Sequence, residues 1–139
     1  MRRLLSLMGS ITLAVAGVTV SAPLAAADKF DGSVPLLCAA IDVMECGPGG
    51  DCQRRSAEAV NLPALIRINV GDKAIKAAHG GERSTPILRV ERANGRLILQ
   101  GGQEGRGWSM VINEETGKLA ASVVDEQVSF AVFGACTTP

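Results

Sequence analysis

The chain has 139 residues, with 14 lysines and arginines against 14 aspartates and glutamates, three phenylalanines, one tryptophan and no tyrosine. A neutral chain with so few aromatic side chains lacks the basic surface and the stacking platforms that nucleic-acid binders use. Its length leaves room for one domain but not for two. The composition therefore excludes a nucleic-acid-binding class and indicates a single small module.

The first 27 residues have the order of a secretory signal peptide. Arg2 and Arg3 supply a basic start, the run from Leu4 to Leu24 carries no charge, and residues 25–27 are all alanine. Signal peptidase accepts only small side chains at its cleavage site, so we expect cleavage after Ala27. A retained membrane anchor is the alternative, but Pro23 and the alanines weaken the run, and about 20 strongly apolar residues are needed to span.

Cleavage at this point leaves residues 28–139 as one exported domain. The loss of Arg2 and Arg3 reduces the basic residues from 14 to 12, against 14 acidic residues, so the net charge becomes −2. We expect this domain to be periplasmic or secreted, with no membrane span after cleavage.

The four cysteines of an exported chain meet an oxidising environment, where disulfides are the default state. Zinc sites and redox pairs favour CxxC spacing, whereas Cys46 and Cys52 enclose five residues. The glycines and proline of residues 47–50 can turn the chain back on itself. We therefore pair Cys46 with Cys52 and, by elimination, Cys38 with Cys136, and we expect no metal and no cofactor.

Alternating apolar and polar residues predict short strands through most of the domain. The predicted strands after the Cys46–Cys52 hairpin are 64–70 (with Ile66, Ile68 and Val70 on one face), 85–92 (with Leu88 and Val90 on one face), 96–100, 108–113, 118–124 and 128–136 (with Phe130 and Val132 on the same face as Cys136). The turns between them are Gly71-Asp72 as a two-residue turn, Asn94-Gly95, a glycine-rich loop at 101–107, residues 114–117 with Gly117 left-handed, and Asp125-Glu126. Residues 56–62 form the one candidate short helix, ending before Pro63.

Eight or nine short strands without a crossover helix exclude a parallel sheet and leave an antiparallel meander. A Cys38–Cys136 bond between the first and last strands favours closure, which hides the edge strands. The predicted fold is all-β, a small antiparallel up-and-down barrel of about eight strands. The alternative is a two-sheet β-sandwich.

No residues in the sequence have the spacing of a catalytic or metal site. His79, the only histidine, lies in a glycine-flanked loop, and the adjacent Glu114 and Glu115 diverge at a turn. The glycine-rich segment 101–107 leads into a strand and not into a helix, so it does not resemble a phosphate-binding loop. We therefore expect no catalytic residues and a protein that is not an enzyme.

Trp108 is the candidate ligand-binding residue. It shares its strand parity with Met110 and Ile112, which aims it at the interior, and the glycines beside it leave few side chains to fill that end. We expect an apolar ligand site formed by Trp108, Met110, Gly105 and Arg106. Packing of Trp108 in the core, without a ligand, is the alternative.

Four segments of the chain resemble a group of small exported bacterial proteins that have no assigned function. They are PLLCAAIDVMECGPGGDC, RLILQGG, GWSMVINEETGKL and FGAC. The resemblance covers the whole mature chain and implies a recurrent secreted module. It transfers no catalytic or binding residue.

These observations together favour a non-catalytic exported β-barrel that binds a protein partner or a small ligand in the cell envelope. One alternative is a proteinaceous inhibitor of an envelope hydrolase, because compact disulfide-bonded barrels suit that task. The other is an enzyme whose site the sequence does not reveal.

Overall fold

A computed structural model describes residues 29–139, which are mostly β-strand. The predicted signal peptide, residues 1–27, and its cleavage point before Asp28 lie outside the described residues. The strands are β1 Leu36–Cys46, β2 Cys52–Arg55, β3 Leu65–Asn69, β4 Ala74–Ala77, β5 Ser84–Pro86, β6 Arg89–Ala93, β7 Arg96–Gln103, β8 Arg106–Asn113, β9 Lys118–Val124 and β10 Ser129–Thr137. A one-turn 3-10 helix, Glu58–Val60, lies within the predicted helix 56–62. Between residues 29 and 139, no helix is long and apolar enough to cross a membrane.

The strands form one antiparallel sheet in the order β5-β4-β3-β1-β10-β9-β8-β7-β6, and β2 pairs with the second half of β1. The edge strands β5 and β6 are consecutive in the chain and are joined by Ile87 and Leu88. The Ile87 N–H donates to the carbonyl of Lys73 at 2.8 Å, and the Leu88 N–H donates to the carbonyl of Gln100 at 2.9 Å. If β5 and β6 are counted as one bent strand, eight strands surround the core, which confirms the predicted small up-and-down barrel.

Both predicted disulfides are present. Cys38 lies directly opposite Cys136 on the β1–β10 ladder, and the two are bonded. Cys46 lies opposite Cys52 across the β1–β2 hairpin, and these are also bonded. Two disulfides in so small a domain indicate an oxidising compartment outside the cytoplasm.

The core follows the alternation of the strands. Five inward side chains in the main cluster have no exposed surface: Leu36, Ile68, Leu97, Leu99 and Ile112. A second, smaller cluster is formed by Val43, Ala57, Phe130 and Val132 where the segment after β2 packs against β1 and β10. Met110 and Ile112 share the inward face of their strand, as predicted, and so do Phe130, Val132 and Cys136.

The left-handed turn residues confirm two of the predicted turns. Asn94 and Gly95, at φ 52° and 69°, form a two-residue turn between the paired Ala93 and Arg96. Gly117, at φ 67°, ends the turn between β8 and β9. The last turn also lies where predicted, but it is wider, because Val124 pairs with Ser129 and four residues lie between them.

The predicted two-residue turn at Gly71-Asp72 is wrong. Asn69 pairs with Ala74, so four residues connect β3 to β4, and Lys73, at φ 51°, takes the left-handed position. The Asn69 side-chain oxygen accepts a hydrogen bond from the Asp72 N–H at 3.1 Å. This local bond stabilises the wider turn.

The single strand predicted for residues 85–92 is interrupted at its centre. Ile87 is 2% exposed and Leu88 is 69% exposed, so the inward position predicted for Leu88 is wrong. The chain bends here as it passes from its partner β4 to its partner β7, and the bend shifts the alternation by one residue. Val90, beyond the bend, packs against the core as predicted.

The glycine-rich loop predicted for residues 101–107 is also wrong. β7 continues to Gln103 and β8 begins at Arg106, which leaves Glu104 and Gly105 as a two-residue turn with φ 52° and 79°. Such positive φ values match the right-handed twist of the flanking strands. The segment is therefore a tight hairpin and not an irregular connection.

The barrel has two ends, which we name after the aromatic residue at each. At the Phe30 end, residues 30–32 cross the strand ends. The Phe30 N–H donates to the carbonyl of Glu114 at 2.9 Å, and the Arg92 guanidinium donates to the carbonyl of Asp31 at 2.9 Å. The opposite end, which carries the β7–β8 turn and the start of β8, is the Trp108 end.

Candidate functional site

Trp108 lies flat against a glycine at the Trp108 end. It pairs with Gly101 on one side and with Val123 on the other. A Cβ atom at Gly101 would lie 2.5 Å from Cζ2 of Trp108 and 2.6 Å from the carbonyl oxygen of Pro86. The indole therefore occupies the space of a missing side chain, and Gly101 allows close approach of the ring.

A cavity of about 190 Å³ opens beside this indole; we call it the Trp108 cavity. Its apolar wall consists of Leu62, Ile66, Ile75, Trp108, Met110 and Val123. These residues come from the segment before β3 and from β3, β4, β8 and β9, so five parts of the chain build one wall. The arrangement is an apolar recess with access from one end of the barrel.

A second cavity, of about 90 Å³, is lined almost entirely by apolar atoms. It includes the Cys38 side of the buried disulfide, together with Ala121 and Val132. Leu62, Pro63, Ile66, Met110 and Val123 line both cavities. The two spaces are therefore neighbours, separated by these shared side chains.

Charged residues of both signs lie at the opening of the Trp108 cavity. Arg83, Arg106 and Glu104 line it and are exposed. Lys76 also belongs to the lining, but its side chain lies on the outer face of β4, opposite to the buried Ile75. Arg83 donates to the carbonyl of Asn61 at 3.3 Å. Arg106 forms an ion pair with Asp125 at 3.2 Å. Within residues 29–139, Lys76 and Arg83 have no ion pair.

Asp125 holds the β9–β10 turn and positions Arg106. Its Oδ1 accepts hydrogen bonds from the N–H groups of Gln127 and Val128, each at 2.8 Å. These two bonds, with a smaller contribution from Arg106, lower the pKa of the Asp125 carboxyl below its ordinary value of 3.8. Asp125 is therefore ionised at neutral pH and holds Arg106 at the opening.

The indole N–H of Trp108 has no hydrogen-bond partner. Its Nε1 is buried, and of the buried side-chain nitrogen and oxygen atoms in residues 29–139 it alone is unpaired. A buried donor without a partner destabilises a fold by about 1–3 kcal/mol.

The structure brings together three of the four residues predicted for the ligand site. Trp108, Met110 and Arg106 line the Trp108 cavity. Gly105 lies in the exposed turn, is absent from the lining, and has nothing within 4 Å of an added Cβ. The opening is formed by side chains around the cavity and not by the absence of side chains at the glycines.

Sequence reasoning missed Leu62, Lys76 and Arg83. Leu62 lies in the connection before β3, Lys76 on the short strand β4, and Arg83 in the loop before β5. No local pattern links these positions to Trp108, because only strand pairing brings them to the same end. The local signals for this wall were the alternation of Ile66 with Ile68 and the shared strand face of Trp108 and Met110.

The other candidates for chemistry lie elsewhere. His79 is exposed in the loop between β4 and β5, beside Glu82 and Arg83 in a shallow depression. Glu114 and Glu115 lie in the β8–β9 turn at the Phe30 end. In the part of the chain that the structure describes, no group of three or more histidine, cysteine, aspartate or glutamate residues is arranged to hold a metal ion.

A belt of apolar side chains crosses the outside of the barrel. Ile41 is 68% exposed, Phe133 51% and Val111 36%. Phe133 pairs with Ala120, and Ala120 pairs with Val111, so they form a row across β10, β9 and β8. Ile41 lies beside this row because a bulge between Ala40 and Asp42 turns it outward. Ile98, which is half-buried, lies opposite Val111. We use the name outer belt for Ile41, Ile98, Val111, Ala120 and Phe133.

Comparisons of this chain with protein-family models, with curated proteins and with solved structures gave no match. The resemblance to small exported bacterial proteins therefore stays a prediction from the sequence.

Proposed function

We propose that this protein is an exported, non-catalytic β-barrel module that binds a small, mainly apolar ligand in the Trp108 cavity. The observation that carries the proposal is the cavity itself, an apolar recess of about 190 Å³ that opens at the Trp108 end of the barrel. Concave apolar sites with a few polar groups at the rim are typical of small-molecule binding.

The proposed location is the periplasm or the extracellular medium. Two disulfides support an oxidising compartment, and the predicted signal peptide supplies the route. The non-catalytic part of the proposal rests on the sequence, in which no nucleophile, base and oxyanion donor have the spacing of a known catalytic set.

The volume of the cavity limits the size of the ligand. A buried apolar cavity of about 150 Å³ holds benzene, and pockets for drug-sized molecules measure roughly 300–1,000 Å³. The Trp108 cavity, at about 190 Å³, lies near the lower of these values. The ligand is therefore an alkyl chain or a single small ring.

Tryptophan fluorescence tests this proposal directly, because Trp108 is the only tryptophan. Adding 1-octanol to the oxidised protein is expected to change the Trp108 emission in a saturable way. Ala77 also lines the cavity, so a leucine side chain there fills part of it. We expect Ala77→Leu to weaken binding by about tenfold, which corresponds to ~1.4 kcal/mol.

Ala59→Leu is the matched control, because Ala59 is exposed in the 3-10 helix and lines neither cavity. It should bind 1-octanol as the parent does. The variant Trp108→Phe has no tryptophan fluorescence, so its binding of 1-octanol is measured by calorimetry instead. A linear, non-saturable response in the parent protein would contradict the proposal.

Binding of a protein partner is the second candidate function, and the outer belt favours it. Contiguous exposed apolar residues often mark protein contacts. The partner in this case is an envelope hydrolase that the protein inhibits. The tagged protein is then expected to capture a hydrolase from an envelope extract and to lower its activity. Ile41→Ser with Phe133→Ser should abolish both effects, whereas Ala59→Leu should leave them intact. Equal capture by the double variant would exclude the outer belt as the contact.

A further inference from the structure

The short strand β2 has a free edge. Among the strands that the structure describes, it alone lies off the continuous order of the sheet, and it pairs only with β1. All four of its residues, Cys52–Arg55, are exposed. An edge strand carries a row of backbone N–H and C=O groups without partners, and another strand can pair with them. β2 is therefore a place where a second chain can extend the sheet.

The hydrogen-bonding pattern of the hairpin shows which backbone groups of β2 face outward. The Gly47 N–H donates to the carbonyl of Asp51 at 3.1 Å, so these two residues form a hydrogen-bonded pair. Along an antiparallel ladder such pairs alternate with pairs that are not hydrogen-bonded. Cys52 and Arg54 therefore direct their backbone groups to the free edge, and the other two residues of β2 direct theirs to β1.

These outward groups allow two copies of β2 to pair with each other about a two-fold axis. The outward groups of one copy must meet those of the other, so Cys52 of one copy lies opposite Arg54 of the second. Gln53 then lies on the axis opposite its own copy, and Asp51 lies opposite Arg55. Each Gln53 amide carries both a donor and an acceptor, so the two amides at the axis complement each other.

The neighbouring registers of the same pairing are less favourable. A shift by two residues in one direction places Arg54 opposite Arg54 of the second copy, and like charges directly opposite destabilise a sheet. A shift in the other direction places Arg54 opposite Gly50, whose φ of 88° is not that of a strand. The register centred on Gln53 is therefore the one that the sequence favours.

The charges on the hairpin agree with this register. Arg54 is paired with Asp42 at 2.6 Å and Arg55 with Glu45 at 2.9 Å, so neither arginine carries an unbalanced charge. Asp51 is exposed, and in the described part of the chain it has no ion pair. The bond to Glu45 uses Nε of Arg55, and a guanidinium has two further nitrogens that donate. Asp51 of the second copy therefore meets these donors.

From this edge and its register we infer that the protein forms a homodimer in which the β2 strands of two copies pair antiparallel. The sheet of each copy then continues through β1 and β2 into the other copy. Because β2 has four residues, the contact is small, and small interfaces bind weakly. We expect a dissociation constant on the order of 100 µM. The inference does not depend on the Trp108 cavity, so either proposal can fail without the other.

Sedimentation equilibrium measures the dimer directly. The oxidised protein is studied from about 10 µM to about 1 mM, a range that brackets the expected dissociation constant. We expect a reversible change from monomer to dimer across this range. A protein that stays monomeric throughout would overturn the inference.

Two substitutions of Arg54 test the strand pairing. Arg54→Pro and Arg54→Ala both remove the guanidinium and its bond to Asp42, but only proline also removes the N–H that faces the second copy. Two hydrogen bonds are then lost per dimer, so we expect Arg54→Pro to dimerise about tenfold more weakly than Arg54→Ala. Circular dichroism and the absence of free thiols check that both variants are folded. Equal dimerisation of the two folded variants would exclude the β2 edge as the contact.

Charge reversal at Asp51 tests the register and leaves the backbone of β2 unchanged. Asp51→Lys places a lysine opposite Arg55 at two symmetric positions, and we expect it to weaken the dimer by about tenfold. Glu115→Lys is the matched control, because it changes the net charge equally at an exposed position at the Phe30 end. It should dimerise as the parent does. Equal dissociation constants for the two variants would contradict the register.

The outer belt is the other surface on which two copies could meet. The double variant Ile41→Ser with Phe133→Ser should dimerise as the parent does, because neither residue belongs to β2. Loss of the dimer in this variant, with retention in Arg54→Pro, would assign the contact to the outer belt and overturn the inference.

Discussion

The Phe30 end and the Trp108 end of the barrel differ in how their space is filled. At the Phe30 end, a Cβ added to Gly32 would lie 2.6 Å from Cγ2 of Val70, and one added to Gly117 would lie 3.1 Å from the Phe30 ring. At the Trp108 end, a cavity of about 190 Å³ remains. The crossing segment 30–32 fills one end, and nothing equivalent in the described residues fills the other. The contrast assigns stability mainly to the Phe30 end and binding to the Trp108 end.

Removing the two disulfides separately is expected to give the largest difference. Cys38 and Cys136 are 98 positions apart, whereas Cys46 and Cys52, in the hairpin beyond the Trp108 end, are 6 apart. Chain entropy predicts a loss of about 4.7 kcal/mol for Cys38→Ala with Cys136→Ala, and of about 2.4 kcal/mol for Cys46→Ala with Cys52→Ala. Urea unfolding of the two double variants measures both values. A larger loss from the hairpin pair would contradict this order.

Truncating a leucine at each end compares the packing directly. Leu97 is fully buried against the segment that closes the Phe30 end, whereas Leu62 is half-buried and lines both cavities. We expect Leu97→Ala to lower the free energy of unfolding by about 2–5 kcal/mol, and Leu62→Ala by about 1 kcal/mol. Chemical denaturation at pH 7 checks both. Similar losses would show that the two ends are equally packed.

Two glycines with nearly equal φ angles isolate the packing contribution. Gly32 has φ 76° and Gly105 has φ 79°, so alanine meets similar backbone strain at both positions. Only at Gly32 would the new methyl group also overlap a neighbour, because nothing lies within 4 Å of it at Gly105. We expect Gly32→Ala to lower the free energy of unfolding by about 1–3 kcal/mol more than Gly105→Ala does. Equal losses would mean that segment 30–32 is not tightly packed.

The smallest expected effect is a dependence of stability on acid pH. Hydrogen bonds from Ser33 lower the pKa of Asp31 at the Phe30 end, as those from Gln127 and Val128 lower the pKa of Asp125 at the Trp108 end. A lowered pKa means that the ionised carboxylate stabilises the folded state above pH 3.8, and that this contribution is lost as the pH falls through the depressed pKa.

The midpoint of thermal unfolding should therefore fall as the pH is lowered from about 5 towards 2. Both Asp31→Asn and Asp125→Asn should show a smaller fall than the parent protein. Both carboxylates are solvent-accessible, so each difference should be small. A fall of unchanged size in both variants would exclude these carboxylates as its source.

Local sequence patterns were sufficient to predict most of the strands and both disulfides. The alternation of Met110 and Ile112, and that of Phe130 and Val132, placed these side chains in the core, where they lie. The cysteine spacing with its intervening glycines predicted the hairpin of Cys46 with Cys52. Each of these features depends on residues that are close in sequence, except the Cys38–Cys136 bond. That bond follows once Cys46 is paired with Cys52, because only two cysteines then remain.

Features that depend on distant pairing could not be predicted. The bend at Ile87 and Leu88 exists because one strand changes partners. Pro86 beside it signals an interruption of the strand, but not which strand becomes the new partner. The Trp108 cavity depends on the register that brings Leu62 and Lys76 to the end where Trp108 lies. Side-chain alternation fixes which face a residue takes, but not which distant strand it meets.

The measurement that tests the contrast between the two ends most directly is a methyl NMR titration with 1-octanol, observing the isoleucine side chains. Ile66 and Ile75 line the Trp108 cavity, whereas Ile68 and Ile112 lie in the packed core and line neither cavity. We predict saturable shifts at Ile66 and Ile75, with the methyl signals of Ile68 and Ile112 almost unchanged. Shifts of equal size at all four residues, or no saturable shift at Ile66 and Ile75, would contradict the account.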